Sequence, residues 1–243
     1  MMENVKAIIL KYQSLFSKII SFNPEFESII QMNFTDENHL LTDEVITDTE
    51  KFSQYVNFEL QKHNALFGIG GYLEQRSLYR RSEIFGNTVS QISKKVDLQI
   101  EEPRTIHLGI DIWGNAGMPV FAPLEGIVHS FAFNDNFGDY GATIILQHQL
   151  EDCIFHTLYG HLSLADLQSL KKGMAIEKGE IIAHFGQPNE NGNWPPHLHF
   201  QIIIDMQMKE GDYPGVCKLS ERNYYAENCP DPDIILQMSH FVK

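Results

Sequence analysis

No hydrophobic run among these 243 residues approaches the roughly 20 apolar residues needed to cross a bilayer, so no membrane span is expected. Cysteine is scarce. Cys153, Cys217 and Cys229 are odd in number and widely spaced, and no C-x-x-C occurs. That pattern indicates neither a disulfide framework nor a cysteine zinc knot. Basic residues are outnumbered, 18 Lys and Arg against 32 Asp and Glu, for a formal charge of −14. Affinity for nucleic acid or an anionic membrane surface comes from Lys and Arg, so neither is an expected partner. A secretory leader is not visible either. The longest apolar stretch near the start, AIIL, is interrupted by Lys11, and no small-residue cleavage site follows. The chain as given therefore reads as cytoplasmic, with an extracytoplasmic place as the alternative. Internal repeats and low-complexity tracts are absent.

What is present suits a folded body of one large domain or two small ones: 43% apolar residues, with 16 Phe and 9 Tyr. Residues 3–21 carry Val5, Ile8, Ile9, Tyr12, Leu15, Phe16, Ile19 and Ile20, a helical stripe ended by Asn23-Pro24. This face suits docking on the rest of the chain better than a partner. Thr47 and Glu50 suggest a capping box opening a helix to about residue 63. From about residue 96 the texture changes to short β-branched runs between Gly and Asn turns: VDLQI, TIHLGIDI, PVFAPL, GIVHSFAF, ATIILQH, IFHTLYGHL, EIIAHFG and LHFQIII. The expected architecture is α+β, a mostly antiparallel sheet or partly open barrel with a small helical N-terminal part. The expected division is 1–95, helical and packed on the core, and 96–243, β-rich, with its core at 104–205 and an extension at 206–243.

Three stretches of the β-rich part concentrate chemistry. In WPPHLHF, His197 and His199 are two apart on a β-prone run. Both rings then face one volume while Leu198 and Phe200 face the other. Paired neutral imidazoles suit a metal site or acid–base work. In IHLGIDIW, His107 and Asp111 share a face whether the segment is extended or helical, and Gly109 allows a close approach or a bend. In LYGHLS, His161 closes a strand. Any one of the 11 histidines is more often structural than functional. Three such motifs inside one β-rich segment are hard to assign to packing.

IHLGIDI, APLEGIV, YGHLS, KKGMAIEKGEIIAHFG and PPHLHFQI, in that order, resemble the core of the lysostaphin-like (LytM-type) zinc endopeptidases. These form the twenty-third metallopeptidase family, known for cutting peptide cross-bridges in bacterial cell walls. The resemblance covers roughly residues 104–205. It implies an antiparallel sheet folded into a groove, with zinc held by His107, Asp111 and His199. It makes His161 and His197 the metal-free catalytic histidines. HLGIDIWGNAGMPVFAPLEG, NWPPHLHF and the downstream PGVC and CPDPDIIL are also similar to a cytosolic branch of that family. Wall hydrolysis is in question in that branch.

Three protein ligands leave a catalytic zinc one further position. No H-E-x-x-H motif supplies a glutamate base, so histidine must move the protons. The expected function is zinc-dependent hydrolysis of a peptide bond, in a peptidoglycan-type or glycine-rich peptide. Two alternatives are a non-catalytic zinc-bound binding or regulatory module, and an amide hydrolase with a non-wall substrate. A further rival starts from APLEGIV and KKGMAIEKGEIIA, which resemble the hairpins of biotinyl or lipoyl carriers. Lys209 is the nearest carrier lysine, and it does not lie between those hairpins. Trp113 and Trp194 flank the ligand motifs and suit either a groove wall or the core. Arg76, Arg80 and Arg81 could reach a substrate carboxylate, but surface ion pairing is the default expectation.

Overall fold

A computed structural model describes residues 2–86 and 101–242. The expected strand VDLQI and the expected boundary near residue 95 lie outside the described residues. The β-rich texture becomes an eight-stranded sheet in the order β1-β2-β4-β11-β8-β7-β6-β9. Its strands are β1 (Ile29–Met32), β2 (Phe67–Gly70), β4 (Ile110–Trp113), β6 (Gly126–Asn134), β7 (Gly141–Leu150), β8 (Cys153–Leu162), β9 (Ala175–Ile176) and β11 (His197–Ile203). Two small ladders complete the β structure. β3 (Arg104–His107) pairs with β12 (Val216–Lys218), and β5 (Pro119–Phe121) pairs with β10 (Ile181–His184). Every pairing is antiparallel except β1 with β2.

Alternation along the central strands divides two faces. Ile110, Ile112, Leu198, Phe200 and Ile202 are buried in the main hydrophobic cluster with Ile144, Leu146 and Tyr159. The residues between them, Asp111, Trp113, His197 and His199, occupy the opposite face, as a period of two requires.

Helices α1 (Met2–Lys11), α2 (Asp43–Thr47) and α3 (Thr49–Lys62) lie in the N-terminal region. The region also supplies two strands that the sequence reading did not identify. β2 pairs with β4, placing Gly68 opposite Trp113 and Gly70 opposite Asp111. The helical stripe over 3–21 is corrected, because α1 ends at Lys11. Beyond it Ile19 and Ile20 run beside β5, where Phe121 N–H donates to Ile19 O and Ile20 bridges Val120. Backbone pairing there outcompetes helix for two β-branched residues. The cap of α3 is Asp48 rather than Thr47, with its carboxylate accepting from the N–H groups of Glu50 and Lys51. Among the described residues no helix is long and apolar enough to cross a membrane.

Candidate metal centre

The ladder between β4 and β11 sets His199 directly opposite Asp111, and His197 opposite Trp113. His107 arrives from another direction. It ends β3, which belongs to the small ladder with β12, and the chain turns at Leu108-Gly109 before β4 begins. That turn lets His107 overlook Asp111. A side chain at Gly109 would put its Cβ 2.5 Å from His199 Cε1 and 2.8 Å from Phe200 O, so only glycine fits beneath the His199 ring.

His161 reaches the same face by an irregularity. Between β7 and β8, Ala142 pairs with Leu162 and Ile144 with Tyr159, so β8 carries one extra residue at 160–161. Tyr159 and Leu162 both stay in the core cluster. His161 takes φ +64, and this bulge turns its ring out of the strand's alternation.

Three acceptor atoms converge. His107 Nε2 lies 3.0 Å from His199 Nδ1 and 3.2 Å from Asp111 Oδ1, while His199 Nδ1 lies 3.0 Å from Asp111 Oδ1. All three residues are buried. The outer bonds fix which ring atoms carry hydrogen. His107 Nδ1 donates to the Gly71 carbonyl at 2.9 Å, which leaves Nε2 as a lone pair. Gln201 donates its amide to Pro214 O and Cys229 Sγ, so its Oε1 accepts from His199 Nε2 at 2.9 Å. His199 Nδ1 is therefore bare as well. Three lone-pair atoms facing one another repel unless a cation lies between them. Their spacing is close to the ligand edge of a tetrahedral zinc, about 3.3 Å for bonds of about 2.0 Å. The donor set of two imidazoles and a carboxylate suits zinc, and these are the residues that would hold it.

The second carboxylate oxygen of Asp111 accepts from Arg76 Nη1, and Arg76 Nε donates to Glu74 Oε2 at 2.6 Å. Burial alone would raise the Asp111 pKa. The neighbouring His107 and the Arg76 guanidinium instead hold it well below the usual carboxylate range. Arg76 is 1% exposed, so the surface ion pairing expected for it is overturned. Its guanidinium lies against β2, where a Cβ on Gly70 would come 2.5 Å from Nη2. Arg81 is buried too, its guanidinium 4.2 Å from the Trp194 ring. Arg80 keeps its surface pair, Nε donating to Asp43 at 2.7 Å.

Beside the triangle stand two imidazoles with another arrangement. His161 Nδ1 donates to Asn191 O and His197 Nδ1 donates to Pro195 O, each at 2.8 Å. Their Nε2 atoms are left as lone pairs. The two rings stack at 4.0 Å, and His197 stacks in turn on Trp113 at 3.9 Å. Burial lowers the His197 pKa to about 4 and, with His197 nearby, drives His161 down as well. Both are neutral bases near pH 7.

Sequence reading missed Arg76 as a partner of Asp111, and it missed Gln201, Asn191 and Tyr140. Asn191 is fully buried and clamps Trp194 through paired amide bonds, a role that N-x-x-W could have signalled. The Tyr140 ring lies 5.1 Å from His199 and 5.6 Å from His161, with no sequence cue. Arg76 and Tyr140 line a cavity of about 270 Å³ together with Asp111, His161, His197, His199, Trp113 and Trp194. Lys209 lies on its rim, in the turn after β11, and not between the hairpins that a carrier domain would need.

Residues 105–210 match peptidase family M23. An L-Ala–D-Glu endopeptidase of Bacillus subtilis (strain 168) is 29% identical over 107 residues, covering 42% of this chain and 31% of that protein. The chain thus spans about a third of the length of this curated relative. Among solved structures, a zinc-containing peptidase from Vibrio cholerae shares 28% identity over 40% of this chain and 27% of its own, with a TM-score of 0.32. The catalytic domain of lysostaphin from Staphylococcus simulans shares 23% over 50% of this chain and 80% of its own, with a TM-score of 0.34.

Proposed function

We propose that this chain, whose residues 105–210 match peptidase family M23, is a zinc-dependent metallopeptidase hydrolysing a peptide bond. The observation that carries this reading is the triangle of bare acceptors at His107, Asp111 and His199, set beside two unliganded imidazoles. Held by these three residues, zinc would supply Lewis-acid polarisation of a carbonyl and would lower the pKa of a water toward about 7.

The chain's own residues supply positioning and proton transfer. Hydrolysis joins a water oxygen to the carbonyl carbon, breaks the C–N bond and passes one proton to the leaving amine. His161 and His197 present neutral Nε2 atoms to the cavity, so either can accept a proton and return it. Their Nδ1 bonds to backbone carbonyls hold that tautomer, and the stack on Trp113 fixes the ring planes. Arg76 and Gln201 keep Asp111 and His199 turned inward.

The substrate class is a peptidoglycan-type or glycine-rich peptide. The Bacillus subtilis relative is named for a bond between L and D residues, which supports including mixed-chirality peptides. The test pairs metal analysis of the purified protein with a cleavage screen on glycine-rich and D-amino-acid peptides read by mass spectrometry. One zinc per chain and chelator-sensitive cleavage are expected. A zinc-loaded protein that binds these peptides and never cuts them would be a binding module instead.

A further inference from the structure

Two segments far apart in the chain support the histidine ligands from behind, and residue 229 joins them. Residues 71–73 hold His107. Gly71 O accepts from its ring at 2.9 Å, and Leu73 N–H donates to its carbonyl at 2.8 Å. Between them, the Tyr72 hydroxyl donates to Cys229 O at 2.5 Å. The other histidine, His199, is held through Gln201. Pro214 O and Cys229 Sγ accept from the Gln201 amide at 3.1 and 3.2 Å. Those two acceptors turn Oε1 toward His199 Nε2 and keep Nδ1 free for a metal. A reversed amide would present N–H groups to His199 Nε2, move the ring hydrogen to Nδ1 and block the coordinating atom.

Cys229 sits at a corner fixed by its neighbour. It follows α4 (Arg222–Asn228), and Asn228 ties that helix end to the strand that carries His199. Ile204 N–H donates to Asn228 O at 2.8 Å. Asp205 N–H donates to Asn228 Oδ1, and Asn228 Nδ2 returns a bond to Asp205 O, at 2.9 and 2.8 Å. Asn228 Nδ2 also donates to Tyr213 OH at 2.6 Å. Residues 204 and 205 directly follow β11, so the corner and His199 share one frame. Gln201, Asn228 and Cys229 are buried, so water cannot replace a lost partner. Burial pushes the Cys229 thiol up to about 12, which leaves Sγ a neutral acceptor and not a nucleophile. Tyr72, Asn228 and Cys229 all lie outside residues 105–210, the part that matches peptidase family M23.

We infer that the Asn228-Cys229 corner is a positioning element for the metal centre, orienting His199 through Gln201 and His107 through Tyr72 and Gly71. The inference rests on the reading of His107, Asp111 and His199 as metal ligands. Zinc affinity of the full-length protein is measured by competition with a chromogenic chelator. Cys229→Ala removes the Sγ acceptor and should weaken zinc binding about tenfold, the low end for loss of an outer partner. Cys229→Ser restores an acceptor at that position and should bind zinc as the native protein does. A role in packing alone predicts no such rescue, since a buried hydroxyl is no better an apolar filler than a methyl. Tyr72→Phe removes the bond to Cys229 O and should weaken zinc binding about threefold. Tyr72 is only partly buried, so this variant stands even if Cys229→Ala fails to fold. Native affinity in Cys229→Ala or in Tyr72→Phe, or equal weakening in Cys229→Ala and Cys229→Ser, would overturn the inference. If the native protein takes up no zinc, the metal reading fails, and exchange of the Gln201 amide hydrogens, followed by NMR, decides without metal whether the corner orients Gln201. That exchange should run about three- to tenfold faster in Cys229→Ala than in the native protein. Equal rates overturn the inference as well.

Discussion

His199 Nδ1 and Asp111 Oδ1 lie 3.0 Å apart because their residues are register partners across β4 and β11. A one-residue slip of that ladder would put the two side chains on opposite faces, one of them in the core. Two residues of the candidate metal centre and the hydrophobic core are thus specified by the same alternation.

Substitution should separate two groups of residues. His107→Ala, Asp111→Ala and His199→Ala are expected to abolish zinc binding, measured by metal analysis after dialysis. His161→Ala and His197→Ala should retain one zinc and lose about 100- to 1,000-fold in kcat. A zinc-free His197→Ala protein would contradict the division of roles.

Arg76 should behave as a buried ion-pair partner. Arg76→Met leaves the Asp111 and Glu74 carboxylates without their shared cation. The expected loss is about 3–5 kcal/mol in urea unfolding of the zinc-free protein. Adding Asp111→Asn should recover part of it. A purely additive double variant would show that the pair is not coupled.

Two neighbours of His199 should tune the metal without touching it. Gly109→Ala forces the ring to move and should cost about 1–3 kcal/mol in stability. Gln201→Leu removes the acceptor that fixes the His199 tautomer and should weaken zinc binding by about 10- to 100-fold. Competition with a chromogenic chelator measures both affinities.

Acid should destabilise the fold through a histidine remote from the metal. His148 donates from Nδ1 to Glu125 O and meets Thr157 Oγ1 through Nε2, and burial lowers its pKa to about 4. The folded state favours the neutral ring, so the unfolded chain takes up the proton first as pH falls. Its stabilising contribution is full above about pH 6.5 and is lost progressively down to about pH 4, a change of roughly 3 kcal/mol. Urea midpoints measured across that window should fall in the native protein and fall less in His148→Gln.

Most strands beyond residue 104, and the shared face of His197 and His199, were legible because period-two alternation is local information. His197, Leu198 and His199 declare their faces within three positions. Tyr159 and Leu162 conceal theirs, because the bulge between them depends on the partner strand. Arg76 was misjudged for a related reason. YLEQRSLYRR offers three arginines with nothing local to tell them apart. Only the pairing of β2 with β4 brings Gly70 beneath one of them and Asp111 beside it. Gln201 looked like one more strand residue, since the bond that matters crosses to its own neighbour on the same face, His199.

Because β2 is laced to β4 directly opposite Asp111, the first third of the chain cannot be trimmed away as an activation peptide would be. A fragment starting after residue 86 would bare the β4 edge beside Asp111, and exposed edges invite self-association. Engineering or evolutionary transplantation of this candidate site would therefore have to carry the N-terminal strands along with the histidines.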